Sequence, residues 1–403
     1  MLTQFWLLTT ASSVSKMGNA FLRLAVPLAI LHVTGSPSAA ILSVALENLP
    51  HLAGPVLGTL IDRFPRRTVF AASELSQAVL VVLLAGALEA ERLGLVYVLL
   101  VGLGLGSVIS NITSEFSLVP SLAPADAVGK AYSRYMFCVD SARFAGPMLG
   151  GLLIAVSSTR IALYADAATF VLTALVVLRL RVGRDSTPKT ESFVQAFASG
   201  WCAFTRLPGI PRLTVSLGLY NLGAGSIATV LVAVGSDRWD WTPSFTGGVV
   251  SAGAIAGALG AAVGGRWERR SWSARILLWM AASCVCALPL LTGSSWLSVI
   301  GFVGMSFSAG AMNVATMAYR HHVIPDEFVG RVNTVVRSLI MGSIPASALI
   351  LSRTATSESH LLMFLPAFLA ILLALAVWRH PRLAPAVPHP PQDAPVADEA
   401  ARS

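Results

Sequence analysis

Charged residues are scarce in this sequence. Only 12% of its 403 residues are Asp, Glu, Lys or Arg, whereas 55% are hydrophobic and the mean hydropathy is +0.72. This composition excludes an ordinary soluble globular protein, whose core needs far less apolar surface. A membrane-spanning helix needs about 20 mostly apolar residues. The chain therefore has room for twelve spans joined by short loops, in contact with a lipid bilayer, and for no sizeable soluble domain.

Cysteine is also rare, and the signatures of several other protein classes are missing. The four cysteines lie in or beside apolar stretches without metal-like Cys or His partners, so we expect no metal site. The glycine run at 102–106 lies inside an apolar span with no preceding strand, so no nucleotide or other cofactor is expected. The net charge of +8 comes from basic residues between spans and indicates membrane topology, not nucleic-acid binding.

Apolar runs separated by Gly, Pro and charged residues predict an all-α membrane protein with twelve transmembrane helices. The first six are expected near 5–33, 38–60, 69–89, 93–118, 128–157 and 161–181. The second six are expected near 209–233, 245–264, 275–292, 295–319, 328–353 and 360–379.

Basic residues are concentrated in alternate loops, and this sets the predicted orientation. The connections after spans 2, 4, 6, 8, 10 and 12 carry most of the arginine and lysine, whereas the other loops hold only Arg92, Arg160, Arg238 and Arg353. Basic loops remain in the cytoplasm. Both termini should therefore be cytoplasmic, in a multi-pass protein of the bacterial cytoplasmic membrane.

The two halves of the chain repeat one another. The sequence VPSLAPADAVGKAYSRY before span 5 is echoed by IPDEFVGRVNTVVRS before span 11. Parallel repeats of six spans are typical of transporters whose site lies between the halves. We predict an N-terminal bundle at 1–182, a cytoplasmic linker at 183–205, a C-terminal bundle at 206–380 and a disordered tail at 381–403. Aromatic residues at one-turn spacing in the linker favour either a short surface helix or an ordinary connector.

A patterned loop follows span 2. It contains Gly54, Gly58, Asp62, Arg63, Arg66 and Arg67. This spacing resembles the signature loop of the major facilitator superfamily, although Pro65 stands where the family usually has Gly. The resemblance covers nearly the whole chain and implies the major facilitator fold of two pseudo-symmetric six-helix halves. It also implies a conformational latch, in which the acid and the arginines bind neighbouring helix ends in the outward-facing state. Simple anchoring on the cytoplasmic side is the alternative for the arginines.

Span 5 carries a second motif, AGPMLGG, with Gly146, Pro147, Gly150 and Gly151. It resembles the antiporter motif of exporters in this superfamily, and the surrounding sequence looks like the group that includes macrolide efflux proteins and enterobactin exporters. Proline kinks the span and glycine permits close helix packing. The resemblance implies a seal against leakage that favours exchange, although small-residue packing alone is also consistent.

Ionisable groups at membrane depth point to function because they are costly there. Asp140 lies well inside span 5, and Arg143 follows one turn later on the same face. Glu47 and Arg23 lie at comparable depth in spans 2 and 1 and are expected to pair. We predict that these four residues couple transport to protons, with Asp140 first and Glu47 second. Structural ion pairs without proton movement are the alternative.

Span 1 carries a polar stripe that is expected to line a central substrate cavity, because such a helix cannot face lipid on all sides. The stripe consists of Ser12, Ser13, Ser15, Lys16, Asn19 and Arg23. Aromatic, flexible and amide side chains elsewhere suit an adaptable pocket. The candidates are Asn19, Arg23, Tyr135, Phe137, Tyr220, Asn221, Met305 and Asn313.

These features predict a monomeric secondary transporter that exports a small hydrophobic or amphipathic molecule in exchange for protons. A facilitator or importer of the same fold is one alternative. A receptor or a membrane-embedded enzyme is another, and it lacks the expected cluster of His/Asp or Ser/His groups at one depth.

Overall fold

The computed structural model describes residues 2–61, 64–122, 128–180, 193–264, 271–325, 329–355 and 359–380. Within these ranges the chain is helical nearly throughout and contains no strand. The predicted all-α class is confirmed. Helices satisfy their own backbone hydrogen bonds, which is what a chain inside a bilayer requires.

The six predicted spans of the N-terminal half correspond to eight α-helices. These are α1 (Leu2–Thr34), α2 (Pro37–Asn48), α3 (Gly54–Ile61), α4 (Arg66–Glu89), α5 (Leu93–Thr113), α6 (Val119–Leu122), α7 (Val128–Val156) and α8 (Thr159–Leu178).

Spans 2 and 4 are interrupted. A 3₁₀ turn at Leu49–Ala53, with Pro50 near its start, separates α2 from α3. A π turn at Ser114–Leu118 separates α5 from α6, and Glu115 lies within it. Single π turns insert into α-helices mostly at functional positions.

The linker contains a helix, α9 (Phe193–Arg206), and residues 183–192 lie outside the described part of the chain. The C-terminal half follows with α10 (Ile210–Ala224), α11 (Ile227–Arg238), α12 (Pro243–Gly264), α13 (Trp272–Ala287), α14 (Ser295–Val323), α15 (Val329–Thr354) and α16 (His360–Arg379). Span 7 consists of α10 and α11, and α13 continues into a 3₁₀ turn at Leu288–Thr292. The predicted tail, 381–403, also lies outside the described residues.

In the described ranges, 10 helices are long and apolar enough to cross a membrane. The two other predicted spans, 38–60 and 128–157, are also helical. The first is divided by the 3₁₀ turn, and the second contributes a shorter apolar helix at Ala145–Val156. The twelve-span arrangement in two halves is therefore present.

Serine caps begin several helices at the loops. The hydroxyl of Ser36 accepts a hydrogen bond from the amide of Ala39, and Pro37 occupies the first turn of α2. Ser158 caps α8 through the amide of Ile161 in the same way. These caps satisfy amides that have no partner inside the helix and fix the short turns between spans.

The two halves contact each other at the end of the bundle where α1 finishes and α2 begins. We call this the remote face, because the start of α1 and the end of α16 lie at the opposite end of the bundle. The contacts between halves join α7 to α12, α2 to α15 and α1 to α11. Ser38, at the start of α2, donates a hydrogen bond to the carbonyl oxygen of Ser352, near the end of α15. The bundle is therefore closed at the remote face.

Candidate functional site

Arg23 of α1 and Glu47 of α2 form an ion pair, with 3.4 Å between the Arg23 Nε and the Glu47 Oε1. The arginine side chain is 59% exposed and the glutamate 13%. The pairing predicted across spans 1 and 2 is therefore present. Its carboxylate is sheltered while its guanidinium remains accessible.

A second ion pair links the two halves. Arg337 of α15 lies 3.5 Å from Glu115, measured between the Arg337 Nη1 and the Glu115 Oε2. The glutamate side chain is 4% exposed and the arginine 48%. The π turn of span 4 thus places a buried carboxylate against a helix of the opposite half.

His51 lies near the arginines of both ion pairs. It lies in the 3₁₀ turn of span 2, where its Nδ1 is 3.2 Å from the carbonyl oxygen of Asn48. Arg23 and Arg337 are both near enough to act electrostatically on the imidazole. Charged groups of spans 1, 2, 4 and 11 therefore converge, and we call Arg23, Glu47, His51, Glu115 and Arg337 the interhalf cluster.

A separate set of polar groups is buried inside the N-terminal half. The hydroxyl of Ser15 donates to Glu74 Oε2 at 2.8 Å, and that of Ser110 donates to Glu74 Oε1 at 2.6 Å. The Lys16 ammonium lies 3.4 Å from the Ser110 hydroxyl. Asp166 of α8 is also fully buried and packs against Gly18 of α1. We call Lys16, Glu74, Ser110 and Asp166, with Ser15, the buried polar cluster.

Glu74 was not among the residues predicted from the sequence. It lies eight residues into α4, about 12 Å along the helix. That depth is a signal of function, but the neighbouring Ser73, Ser76 and Gln77 resemble the polar start of a span. Lys16, by contrast, belonged to the recognised polar stripe.

That polar stripe was expected to line the central cavity, and for its first part this prediction was wrong. Ser12, Ser15 and Lys16 are buried, and the last two bind groups of α4 and α5. The stripe becomes accessible further along, at the half-buried Asn19 and at Arg23. Polar side chains on span 1 find their partners mainly within their own half, because unpaired polar groups are costly there.

The AGPMLGG motif of span 5 lies where the halves meet. Added to Gly151, a Cβ would stand 2.5 Å from the carbonyl oxygen of Pro243 and 3.1 Å from the Cα of Gly247. A Cβ added to Gly247 would in turn strike the carbonyl oxygen of Pro147. The backbones of α7 and α12 therefore touch, with glycine on both sides. Gly146 and Pro147 are buried as well.

Gly150 has a different neighbour within the same motif. A Cβ at this position would lie 3.1 Å from the Cα of Phe21 on α1. Adjacent glycines thus serve two interfaces. Gly150 brings α7 onto α1 inside the N-terminal half, whereas Gly151 brings α7 onto α12.

The signature loop is described only in part. Arg67 donates from Nη1 to the carbonyl oxygen of Leu180 at 2.9 Å, just beyond the end of α8. An arginine of this loop therefore binds a helix end through a backbone carbonyl oxygen. Gly54 begins α3, and Arg66 begins α4 and is half-buried. Gly58 lies within α3, while Asp62 and Arg63 lie outside the described residues.

Asp140 and Arg143 lie on α7, as predicted, but their side chains are outside the described part of the structure. Among the described residues, no group of three or more His, Cys, Asp or Glu is arranged to hold a metal ion.

Three of the cavity candidates are buried among neighbouring helices in the described conformation. Tyr135 packs in an apolar cluster with α1 and the segment around α6, and Met305 packs in the core of the C-terminal half. Tyr220 is buried too, with its hydroxyl 2.8 Å from that of Ser283 on α13. These helices are apolar on several faces, and neighbouring helices cover those side chains.

The remaining candidates keep accessible surface. Asn221 donates from Nδ2 to the carbonyl oxygen of Ile340 on α15 at 3.3 Å and is half-buried. Phe137 and Asn313 are exposed. With Arg23 and Asn19, they remain predictions as substrate-contacting residues.

A helical bundle of twelve spans in two halves, with ion pairs within and between the halves, defines a polytopic membrane transport protein. The sequence matches the Major Facilitator Superfamily over residues 8–348, so the chain belongs to that superfamily. It is a membrane transporter and not an enzyme.

Relatives share this architecture. The chain is 27% identical to the uncharacterized MFS-type transporter YfiS of Bacillus subtilis (strain 168) over 358 residues, which cover 82% of each chain. A bacterial homologue of the iron transporter ferroportin, in its inward-facing state, superposes with a TM-score of 0.71 at 17% identity, covering 94% of this chain and 98% of that one. The nucleoside transporter NupG gives 0.74 at 11% identity, covering 93% and 98%. The two solved transporters therefore share the fold of this chain.

Proposed function

We propose that this transporter exports a small hydrophobic or amphipathic molecule, such as a drug, antibiotic, siderophore or other natural product, in exchange for protons. The protein acts as a monomer in the bacterial cytoplasmic membrane with both termini in the cytoplasm. Its halves, 1–182 and 206–380, alternate access to a site between them, with 183–205 as the linker and 381–403 as the tail.

The observation that carries this proposal is the contact between Gly151 and Gly247. Two backbones in direct contact leave no channel for water or ions between α7 and α12. An exchanger needs such a barrier, because a leak would dissipate the proton gradient that drives it. With cytoplasmic termini, the remote face is the outer face, and the described conformation is closed to the outside.

The ion pairs within the N-terminal half and between the two halves supply the carboxylates that proton coupling needs. Glu47 is sheltered but lies next to the accessible Arg23. A carboxylate in this position exchanges its cation partner for a proton when the partner moves away. Asp140 and Arg143, on the helix that carries the glycine contact, are proposed to act in the same way.

Direction and coupling are tested in inverted membrane vesicles, which expose the cytoplasmic face to the medium. An interior acidified by an imposed pH gradient should drive accumulation of ethidium or radiolabelled erythromycin in vesicles that contain the protein. Asp140→Asn should abolish this accumulation while leaving the amount of inserted protein unchanged.

Two controls and two alternative outcomes give the result its meaning. A protonophore should collapse the accumulation, and vesicles without the protein should show none. Equal uptake with and without the gradient would instead indicate a facilitator. Accumulation that requires the opposite gradient would indicate import.

A further inference from the structure

The buried polar cluster places one cation and two acids in the interior of the N-terminal half. Glu74 and Asp166 are completely buried, and Lys16 is nearly so. Charges in such a place are costly unless they are balanced. Lys16 attracts both carboxyl groups, and the carboxyl groups act on each other with the opposite sign. One ammonium balances only one carboxylate.

Glu74 has the surroundings of the ionised member. Both of its oxygens accept hydrogen bonds, from Ser15 and from Ser110. The Lys16 ammonium reaches the same network through the Ser110 hydroxyl. An ionised carboxylate is an acceptor at both oxygens, and hydrogen bonds that involve an ion are the stronger kind.

Asp166 has different surroundings. Neither of its carboxyl oxygens has a hydrogen-bond partner of ordinary geometry among the described residues. It lies against Gly18, beside the hydroxyl of Thr169, whose own hydrogen bond goes to the Asp166 carbonyl oxygen. A fully buried, unpartnered carboxylate is far more costly than a neutral carboxyl group.

The charged neighbours of Asp166 are few. They are, from the strongest influence to the weakest, Glu74 of α4, Glu47 of α2 and Lys16 of α1. Helix α7 also packs on α8, and the side chains of its Asp140 and Arg143 lie outside the described residues. The described surroundings thus hold more negative than positive charge.

We propose that Asp166 binds a proton exchanged in the transport cycle, while Lys16 balances the charge of Glu74. The proton is held on a carboxyl oxygen in the described conformation. When that O–H bond breaks, the proton leaves for water, and the new carboxylate shares the Lys16 ammonium with Glu74. This inference rests on the proposed proton exchange and adds the group that carries the proton.

Helix α1 connects this event to the space between the halves. Lys16 and Arg23 are seven residues apart, two turns, and therefore lie on one stripe of α1. Gly18 lies on another face of α1. It lets α8 approach α1 closely, since a Cβ there would strike both Asp166 and Thr169. A shift of α1 that brings Lys16 toward Asp166 also displaces Arg23 from Glu47.

Infrared difference spectroscopy of the purified protein in lipid tests the proton directly. The wild type should show the carbonyl stretch of a protonated carboxyl group at neutral pH. Asp166→Asn should lose this band, whereas Asp140→Asn and the exposed-loop control Asp240→Asn should retain it. Loss of the band in Asp140→Asn but not in Asp166→Asn, or no such band in the wild type, would overturn the assignment.

Transport gives the second measurement. Asp166→Asn should lose accumulation driven by the pH gradient in inverted vesicles but still release preloaded ethidium or erythromycin down its own gradient. Retention of gradient-driven accumulation would refute the role of Asp166. If the wild type accumulates neither compound, the proposed exchange of these compounds for protons is refuted. The infrared band still decides whether Asp166 holds a proton.

Discussion

Glu115 and Arg337 form an ion pair between the halves, and the two side chains differ in their surroundings. The carboxylate is almost wholly buried, whereas about half of the guanidinium surface is exposed. An exposed cation loses little when its partner is removed. A buried carboxylate that loses its cation retains an uncompensated charge in a medium that solvates it poorly.

This asymmetry leads to a prediction about stability. Arg337→Gln should destabilise the protein by about 1–3 kcal/mol, and Glu115→Gln should cost less. The double variant should recover most of the loss, because it removes the buried charge together with its partner. Apparent melting temperatures of the three purified variants test this. Equal losses in both single variants, adding up in the double, would contradict it.

Helix α7 shows how one element serves two interfaces. Its adjacent glycines allow α7 to contact α1 in its own half and α12 in the other. When the halves rock, α7 must remain on α1 while its contact with α12 opens. Gly151 is therefore the motif residue whose substitution should affect conformation most directly.

Gly151→Ala should weaken closure of the remote face by about 1–3 kcal/mol, since the added methyl group meets the backbone of α12. Gly218→Ala on α10 is the matched control, because nothing lies within 4 Å of a Cβ there. A reporter cysteine, Ser244→Cys at the start of α12, is introduced after the four native cysteines are replaced. Its labelling by a hydrophilic maleimide should accelerate with Gly151→Ala and stay unchanged with Gly218→Ala. Equal labelling rates in both variants would argue against a closing role for the glycine contact.

The elements also show what the sequence could predict. Ten spans were predictable as apolar runs of the length that a bilayer demands, and the other two, 38–60 and 128–157, from apolar runs bounded by breakers and charges. The 3₁₀ turn at Leu49–Ala53 and the π turn at Ser114–Leu118 were not, since mean hydropathy is insensitive to helical pitch. The glycine motif was recognisable, but its two partners depend on the folded arrangement of α1 and α12.

The site was less predictable than the fold for a physical reason. Arg23 and Glu47 were paired correctly, because neighbouring spans place few charges at one depth. Glu74 was missed since its partners come from α1 and α5, far away in the sequence. The burial of Tyr135 and Tyr220 was not predictable, because a helix that is apolar all round does not reveal which face its neighbours cover.

At the scale of the whole molecule, the described conformation is closed at the remote face by contacts on three pairs of helices. The glycine contact joins α7 to α12, Ser38 binds Ser352 between α2 and α15, and α1 packs on α11. Alternating access requires all three to separate in the opposite state. A covalent tie at any one of them should therefore stop the cycle.

The contact between Ser38 and Ser352 is suited to this test, because it is small and lies at the ends of α2 and α15. With the native cysteines replaced, Ser38→Cys and Ser352→Cys are introduced together and joined with a short, reducible methanethiosulfonate cross-linker. Cross-linking should abolish pH-driven accumulation of the transported probe in vesicles, and reduction should restore it. Each single-cysteine variant, treated in the same way, should retain transport because its thiol has no partner to join. Transport that continues in the fully cross-linked protein would mean that the halves do not separate at this face, and the rocking of one half against the other would have to be abandoned for this chain.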